Sequence, residues 1–404
     1  MKLYIAIPAL NEFDYLPHTL QAIERQQTVH TFEVFVCINQ PERWWTDGEH
    51  LSECGNNQKT IRWIQNRHFP YSIRLIDKSS EGCGWDSKNF GVGWARKVLF
   101  DTIMQCASDE DVIISMDADT VFNEKYFESI ADNFEKHVGQ AAVSVPYFHP
   151  LNDDDKANRA ILRYEIYMRN CLLNLMRIGS PYSFTAIGSA IAVNAKALRK
   201  IGGITPMKSG EDFYLLQKLR KMAPVSLWND EIVYPAARFS DRVFFGTGPA
   251  LIKGSQGIWD SYPIYHFSLF DKVKETYDLI DTLYEQDIDT DFTDFLKEVF
   301  KTDDLWGPLR KNSKDLPHFR HSFHEKADGL RILQFLKSKQ ETLLLSDEEC
   351  LFENLPVIDP SGYSRFMYED FQFATATHEQ LQALRQRLFD VEMMVRFCIR
   401  HSVA

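Results

Sequence analysis

Two carboxylates separated by one residue, Asp117 and Asp119, follow a run of β-branched and apolar residues at 112–116. That run is typical of a strand buried in a sheet, and alternation along it places both carboxylates on one side where the chain leaves the sheet. Open α/β sheets bind their ligands at this edge. Hard oxygen ligands suit Mg²⁺ or Mn²⁺ carrying phosphate oxygens. The alternative is an aspartate pair that only caps the next helix.

Two further acidic residues, Glu211 and Asp212, follow Gly210 and open a predicted helix that continues over residues 213–222. A carboxylate in this place can accept a proton, but acidic residues at a helix N-terminus are often only caps. Both interpretations stay open on these residues alone.

Basic residues that could hold an anion lie in two glycine-containing stretches. Lys88 lies in a loop that leads into a predicted helix, where the first helical amides favour anions. Arg238 and Arg242 share one loop with hydroxyls and glycines, which suits a flexible phosphate clamp. The alternatives are a solvated lysine and an ordinary surface loop.

The elements that must position these residues have the pattern of a mostly parallel sheet flanked by helices. Short apolar runs predict strands, and helical spacing over residues 11–26 predicts a helix between the first two of them. The predicted strands lie at 3–7, 33–38, 73–76, 112–116, 141–145 and 183–193. After about residue 270 glycine nearly disappears and apolar residues recur at helical spacing, so we predict an α/β domain over 1–270 and a helical C-terminal region over 271–404.

Composition restricts the classes of function. The chain has 404 residues with a formal net charge of -12, which argues against nucleic acid as the main partner. The seven cysteines are scattered and contain no Cys-x-x-Cys pair, so they are expected to be free thiols in a reducing cytoplasm. No apolar run has the length of a transmembrane span. We therefore expect a cytoplasmic protein that contacts a membrane, if at all, peripherally at its inner surface.

Four landmarks follow one another along the chain: residues 5–12, then Lys88-Asn89-x-Gly91-x-x-x-Ala95, then Asp117-Ala118-Asp119, then Gly210-Glu211-Asp212. This ordered series resembles the family 2 glycosyltransferases with the GT-A fold, and the resemblance covers about residues 1–245. It implies an Mn²⁺- or Mg²⁺-dependent enzyme that moves a sugar from a UDP- or GDP-type donor to an acceptor hydroxyl with inversion. The implied acceptor is a glycan, a lipid-linked molecule or a small molecule.

The resemblance also implies roles for single residues. Asp119 would coordinate a divalent ion that bridges the diphosphate, and Asp117 would contact that ion or the ribose. Asp212 would be the general base, with Glu211 as the alternative. His266 could complete the metal shell, although a core histidine is the competing interpretation. Donor nucleotide binding is implied for Pro8, Ala9, Asn11, Glu12, Asp77, Lys88 and Asp117, with Arg238 and Arg242 as a diphosphate clamp.

Two departures from the family pattern bear on the substrate. The second strand ends in Asn39-Gln40, where many relatives have an acidic pair that reads the base and ribose, so the donor nucleotide stays open. No Gln-x-x-Arg-Trp motif of the processive synthases follows Gly210-Glu211-Asp212, which favours a single addition; the same spacing at residues 40–44 lies before the Asp117-Ala118-Asp119 motif. Two other functions compete: a sugar-1-phosphate nucleotidyltransferase, and a catalytically silent nucleotide-sugar-binding docking protein. The first normally has a Gly/Arg/Lys-rich loop after its first strand, in contrast to Pro8-Ala9-Leu10-Asn11-Glu12 here.

Overall fold

The computed structural model describes residues 1–86, 88–241, 246–360 and 371–402, with the side chains of the last two left out. Within it the chain forms two compact units. The first comprises 1–161, 185–253 and 400–404, and the second comprises 162–184 and 254–399. The domain boundary at residue 270 stays a prediction.

The first unit is built on a seven-stranded sheet with the order β3-β2-β1-β4-β7-β6-β8 and a two-stranded sheet of β5 and β9. The first four strands in that order run parallel, and β7 is antiparallel to both of its neighbours. This confirms the predicted mostly parallel α/β sheet. The strands are β1 (Lys2–Ala9), β2 (Thr31–Asn39), β3 (Ser72–Lys78), β4 (Val112–Ser115), β5 (Thr120–Phe122), β6 (Ala142–Ser144), β7 (Ile191–Asn194), β8 (Val225–Ser226) and β9 (Val233–Pro235).

Helices flank the sheet of the first unit, and two short 3₁₀ helices, Glu42–Thr46 and Gly48–His50, follow β2. The strands β1, β2 and β4 are buried in their centres because they carry apolar residues on both faces, as the sequence predicts, whereas the edge strand β3 is half-exposed. The helices are α1 (Leu16–Glu24), α2 (Leu51–Asn66), α3 (Val92–Met104), α4 (Tyr126–Lys136), α5 (Asp155–Arg177), α6 (Ala195–Lys200), α7 (Glu211–Met222) and α8 (Thr247–Ser255). Of these, α5 and α8 have residues in both units.

Two predicted boundaries are wrong. The first helix begins at Leu16 and not at Asn11, because Asn11 has a left-handed backbone with φ of 58°. The predicted strand at 183–193 is a strand only from Ile191 onward. Its apolar residues are buried, but residues 183–190 form turns and irregular backbone whose carbonyls bind side chains, including that of Arg96. Residues 183–190 are therefore a case in which apolar residues are buried without pairing as a strand.

The second unit is helical, which confirms the predicted change of character along the chain. Its interior holds fully buried ion pairs: Arg169 contacts Glu165 at 2.7 Å and also Glu392, and Arg396 contacts Glu392 at 2.7 Å. The helices are α9 (Phe267–Asp278), α10 (Ile280–Glu285), α11 (Asp291–Phe300), α12 (Gly307–Asn312), α13 (Leu316–Lys326), α14 (Gly329–Gln340), α15 (Asp347–Ile358) and α16 (His378–Ser402), the last ending in the first unit.

In the described part of the chain, no helix combines the length and the apolar character that crossing a membrane requires.

Candidate active site

The two aspartates of the Asp117-Ala118-Asp119 motif lie in a tight turn at the carboxyl edge of the main sheet. The turn follows β4 directly, and the amide of Met116 still donates to the carbonyl of Ala6 at 3.0 Å. The buried hydroxyl of Thr19 donates to the carbonyl of Ala118 at 2.8 Å. The turn is therefore fixed to β1 and to α1, and both carboxylates keep a defined place at the sheet edge.

Arg238 joins the first-strand loop to Asp119. Its Nε donates to Asp119 Oδ2 at 2.7 Å and its Nη2 donates to Glu12 Oε1 at 2.5 Å. The guanidinium lies 4.3 Å from the centroid of the Tyr15 ring. Pairing of β5 with β9 brings the chain back to this place, since Thr120 opposes Pro235. Two predicted donor-binding residues, Glu12 and Arg238, and the predicted metal ligand Asp119 thus form one ion cluster.

Arg96 makes a second ion cluster. Its Nη2 donates to Asp117 Oδ1 at 2.5 Å and its Nε donates to Glu211 Oε1 at 2.9 Å. Its Nη1 donates to Ser115 Oγ at 2.5 Å and to the carbonyl of Gly188 at 3.0 Å. The side chains of Arg96 and Glu211 are only 5% and 4% exposed. The N-terminus of α7 is thereby tied to the Asp117 turn.

Asp212 follows Glu211 in the first turn of α7 but makes no ion pair with any described residue. Its Oδ1 accepts a hydrogen bond from the amide of Phe213 at 2.8 Å. Burial raises the pKa of Asp212 to about 7, the neighbouring Glu211 carboxylate also raises it, and Arg96 acts in the opposite direction. Of the two acidic residues, Glu211 has its charge balanced by Arg96, and Asp212 keeps a carboxylate able to take a proton near neutral pH.

The loop after β1 is held by buried amides. The amide of Asn11 donates to Asn57 Oδ1 at 2.8 Å, and Asn57 in turn donates to Gln40 Oε1 at 2.7 Å. Asn39 donates to the carbonyl of Ala9 at 2.9 Å. Asn39, the last residue of β2, and Gln40 after it therefore support the loop. Pro8 and Ala9 are the last buried residues of β1, and Asn11 is exposed.

Two other predicted donor residues lie in capped turns. Asp77 ends β3, and its carboxylate accepts from the amides of Ser79 and Ser80, each at 2.9 Å. Burial acts to raise the pKa of Asp77, but the hydrogen bonds from Ser80 and Ser79 outweigh it, and the pKa is lowered. Lys88 is exposed, in a turn where its amide and that of Asn89 donate to Asp86.

The two remaining predicted site residues are His266 and Arg242. His266 belongs to the second unit, where it precedes α9 and its ring nitrogens contact Ser268 Oγ at 2.7 Å and Glu353 Oε2 at 2.9 Å. Its contribution to a metal shell stays a prediction. Arg242 falls outside the described residues.

The chemistry of the Asp117 and Asp119 carboxylates fits a divalent ion that arrives with a diphosphate. Each carboxylate gives one oxygen to an arginine, and its other oxygen has no hydrogen bond within the described ranges. Those ranges contain no group of three or more His, Cys, Asp or Glu side chains placed to hold a metal. Mg²⁺ commonly takes one or two carboxylates and completes its shell with phosphate oxygens and water, so two oxygens from the protein suffice.

The sequence-based reasoning missed Arg96. A signal for it exists, because Arg96 has helical spacing with Leu99, Phe100 and Ile103, all of which are buried. An arginine on the apolar face of a helix needs carboxylate partners, since burial of an unpaired charge is costly. The identity of those partners could not be read from local spacing.

The site thus combines a mostly parallel sheet, an Asp-x-Asp turn at the edge of that sheet, and an acidic helix start that Arg96 ties to the turn. Residues 112–251 match the family described as "Glycosyl transferase family group 2". That range contains the aspartate motif, the Gly210-Glu211-Asp212 motif and Arg238. This match confirms the predicted resemblance to the family 2 glycosyltransferases over residues 112–251, and with it the predicted class of enzyme, a glycosyltransferase.

No curated protein matches the sequence. Among solved structures, S. aureus TarS residues 1–349 in complex with UDP-GlcNAc is similar at 13% identity and a TM-score of 0.39, over 100% of this chain and 92% of that one. A mannosyltransferase of Pyrobaculum calidifontis, PcManGT, in complex with GDP-Man and Mn²⁺, is similar at 12% identity and a TM-score of 0.37, over 98% and 86%. Similarity this distant says nothing about the donor or acceptor of this chain.

Proposed function

We propose that this glycosyltransferase moves one sugar from a UDP- or GDP-type donor to an acceptor hydroxyl, inverts the anomeric centre, and depends on Mn²⁺ or Mg²⁺. The observation that carries the proposal is the half-buried carboxylate of Asp212, which has no cationic partner among the described residues and has a pKa raised to about 7. A general base works best when its pKa lies near the working pH. A carboxylate that served only as a helix cap would gain nothing from such a shift.

The donor would bind at the sheet edge, with its diphosphate against Asp117, Asp119 and Arg238. Asp119 and Asp117 would hold the metal ion, which would supply Lewis-acid stabilisation of the negative charge on the leaving diphosphate. Arg238 carries a guanidinium whose planar N–H groups match phosphate oxygens as well as carboxylates. The positive charge of Lys88 and the first amides of α3 would also favour binding of the negatively charged diphosphate.

The acceptor hydroxyl would face Asp212. An alcohol is a weak nucleophile, so a carboxylate within hydrogen-bond reach must take its proton as the new bond forms. If Asp212 lies on the side of the sugar opposite to the leaving diphosphate, attack inverts the anomeric carbon. The lack of a Gln-x-x-Arg-Trp motif after Gly210-Glu211-Asp212 supports transfer of a single sugar.

A thermal-shift screen of UDP- and GDP-sugars with and without Mn²⁺ or Mg²⁺ tests the donor site, because a ligand that binds only the folded state raises its apparent stability. We expect at least one donor to raise the Tm only with metal present, and Asp119→Ala to abolish that rise. A rise that does not need metal would contradict the metal dependence.

Transfer is tested with Asp212→Asn, which is expected to keep the donor-induced rise in Tm and to lose about 10²- to 10⁴-fold in kcat. Full activity of this variant would remove Asp212 as the base. Release of pyrophosphate from a nucleoside triphosphate plus a sugar phosphate would instead favour the nucleotidyltransferase. Donor binding with no turnover on any acceptor tested would favour the docking protein.

A further inference from the structure

Arg96 contacts acidic groups of both the Asp117-Ala118-Asp119 motif and the Gly210-Glu211-Asp212 motif. Its guanidinium touches Asp117, on the proposed donor side, and Glu211, the neighbour of the proposed base. The same guanidinium also binds Ser115 at the end of β4 and the carbonyl of Gly188 in the loop before β7. Three separate stretches of the first unit, at residues 115–117, 188 and 211, therefore meet on one planar group.

The two carboxylates on Arg96 differ in their surroundings. Glu211 is buried, with 4% of its side chain exposed, whereas the side chain of Asp117 is 35% exposed at the sheet edge. A pair with Glu211 would be enough to balance the buried charge of Arg96. The additional contact with Asp117 reaches the edge of the sheet, where open α/β folds bind their ligands.

We propose that Arg96 is a positioning residue that sets the carboxylate of Asp117 relative to the first turn of α7, and so sets the donor relative to the base Asp212. This inference rests on the proposed function. Displacement of reacting groups by about 1 Å can lower a rate about 100-fold. The arginine fork holds two carboxylates at once in fixed directions, whereas a lysine ammonium acts as a point charge on a flexible chain.

Gly188 offers a way to move Arg96 without removing a charge. A Cβ at position 188 would lie 2.0 Å from Arg96 Nη2 and 2.7 Å from Arg96 Cζ. Gly188 does not have a positive φ, so alanine strains no backbone there. The atoms in the way belong to the end of a flexible side chain, which can shift. Gly188→Ala should therefore displace the guanidinium and leave every ionisable residue in place.

The experiment compares wild type, Gly188→Ala, Arg96→Lys and the control Gly55→Ala, whose new Cβ on α2 meets nothing within 4 Å. Folding is checked by circular dichroism and Tm. The affinity for UDP and GDP with Mn²⁺ is measured by calorimetry, and kcat and KM for the donor are measured by transfer. Asp117→Asn is made in the wild-type and Gly188→Ala backgrounds, because coupled residues give non-additive losses.

We expect Gly188→Ala to keep the fold, to bind the nucleoside diphosphate more weakly, and to lose about 100-fold in kcat. Arg96→Lys should have a lower kcat than wild type although it keeps the positive charge. Asp117→Asn should cost less in the Gly188→Ala background than in wild type, since its positioned partner has already moved. Gly55→Ala should match wild type.

Wild-type affinity and kcat in Gly188→Ala would overturn the positioning role. The same conclusion would follow if the loss in the double variant equalled the product of the losses in Gly188→Ala and Asp117→Asn. A wild-type kcat in Arg96→Lys would overturn it as well, because Arg96 would then supply only a positive charge. Absence of both binding and transfer in wild type and in Gly55→Ala is a different result, and would overturn the proposed function together with this inference.

Discussion

The raised pKa of Asp212 predicts that the proposed base weakens the fold near neutral pH. Burial, with Glu211 beside it, raises the pKa from its ordinary value of 3.8 to about 7. Between these two values the folded protein binds more protons at Asp212 than the unfolded chain does. The free energy of unfolding therefore falls as the pH rises from about 4 to about 7, and the loss is complete above that range.

The size of the effect follows from the shift. One pKa unit corresponds to about 1.4 kcal/mol, so a shift of about three units sets an upper bound on the order of 4 kcal/mol. Asp212 is half-buried, and access of water reduces this to about 1–3 kcal/mol. Asp212→Asn is neutral at every pH and removes the cost. Its gain in Tm over wild type should be near zero at pH 4 and several degrees at pH 8.

The assay is thermal unfolding of wild type and Asp212→Asn at half-unit steps from pH 4 to pH 8. The matched control is Glu211→Gln, which should lower the Tm at pH 8 because buried Arg96 loses a charged partner. In wild type, kcat should rise with pH through an apparent pKa near 7, because Asp212 must be ionised to accept a proton. A difference in Tm between wild type and Asp212→Asn that does not change with pH would refute the reasoning.

Three further changes test the packing around the site and in the second unit. Gly93→Ala should lower the free energy of unfolding by about 2–4 kcal/mol in urea titrations, since its Cβ would lie 2.1 Å from the carbonyl oxygen of Met207; an unchanged midpoint would contradict this. Arg238→Ala should cost about 3–5 kcal/mol because it leaves buried Glu12 without its arginine, and a loss under about 1 kcal/mol by the same titration would mean that water replaces the pair. Glu392→Ala removes the carboxylate that two buried arginines share in the second unit and should cost a similar amount; differential scanning calorimetry with Glu392→Gln as the milder variant checks it.

Much of the fold could be predicted from local patterns. Apolar runs of strand length identified the parallel strands, and helical spacing identified the helices, because both depend on residues close in sequence. The predictions failed where long-range contacts prevail. Residues 183–190 are apolar enough for a strand, but their backbone turns to meet the guanidinium of Arg96. The first helix begins late because Asn11 has a left-handed backbone with φ of 58°, in a loop where its amide donates to Asn57, 46 residues away.

The candidate site divides in the same way. The sequence by itself determined which residue types stand at the ends of strands and helices: Asp117 and Asp119 after β4, and Glu211 and Asp212 at the start of α7. Only the tertiary structure decided which of these charges are balanced. Glu211 receives Arg96 across 115 residues of sequence and Glu12 receives Arg238 across 226, while Asp212 receives no cation within the described chain. Periodicity reports on the face of a single element, whereas the pairing of buried charges depends on which elements the fold brings together.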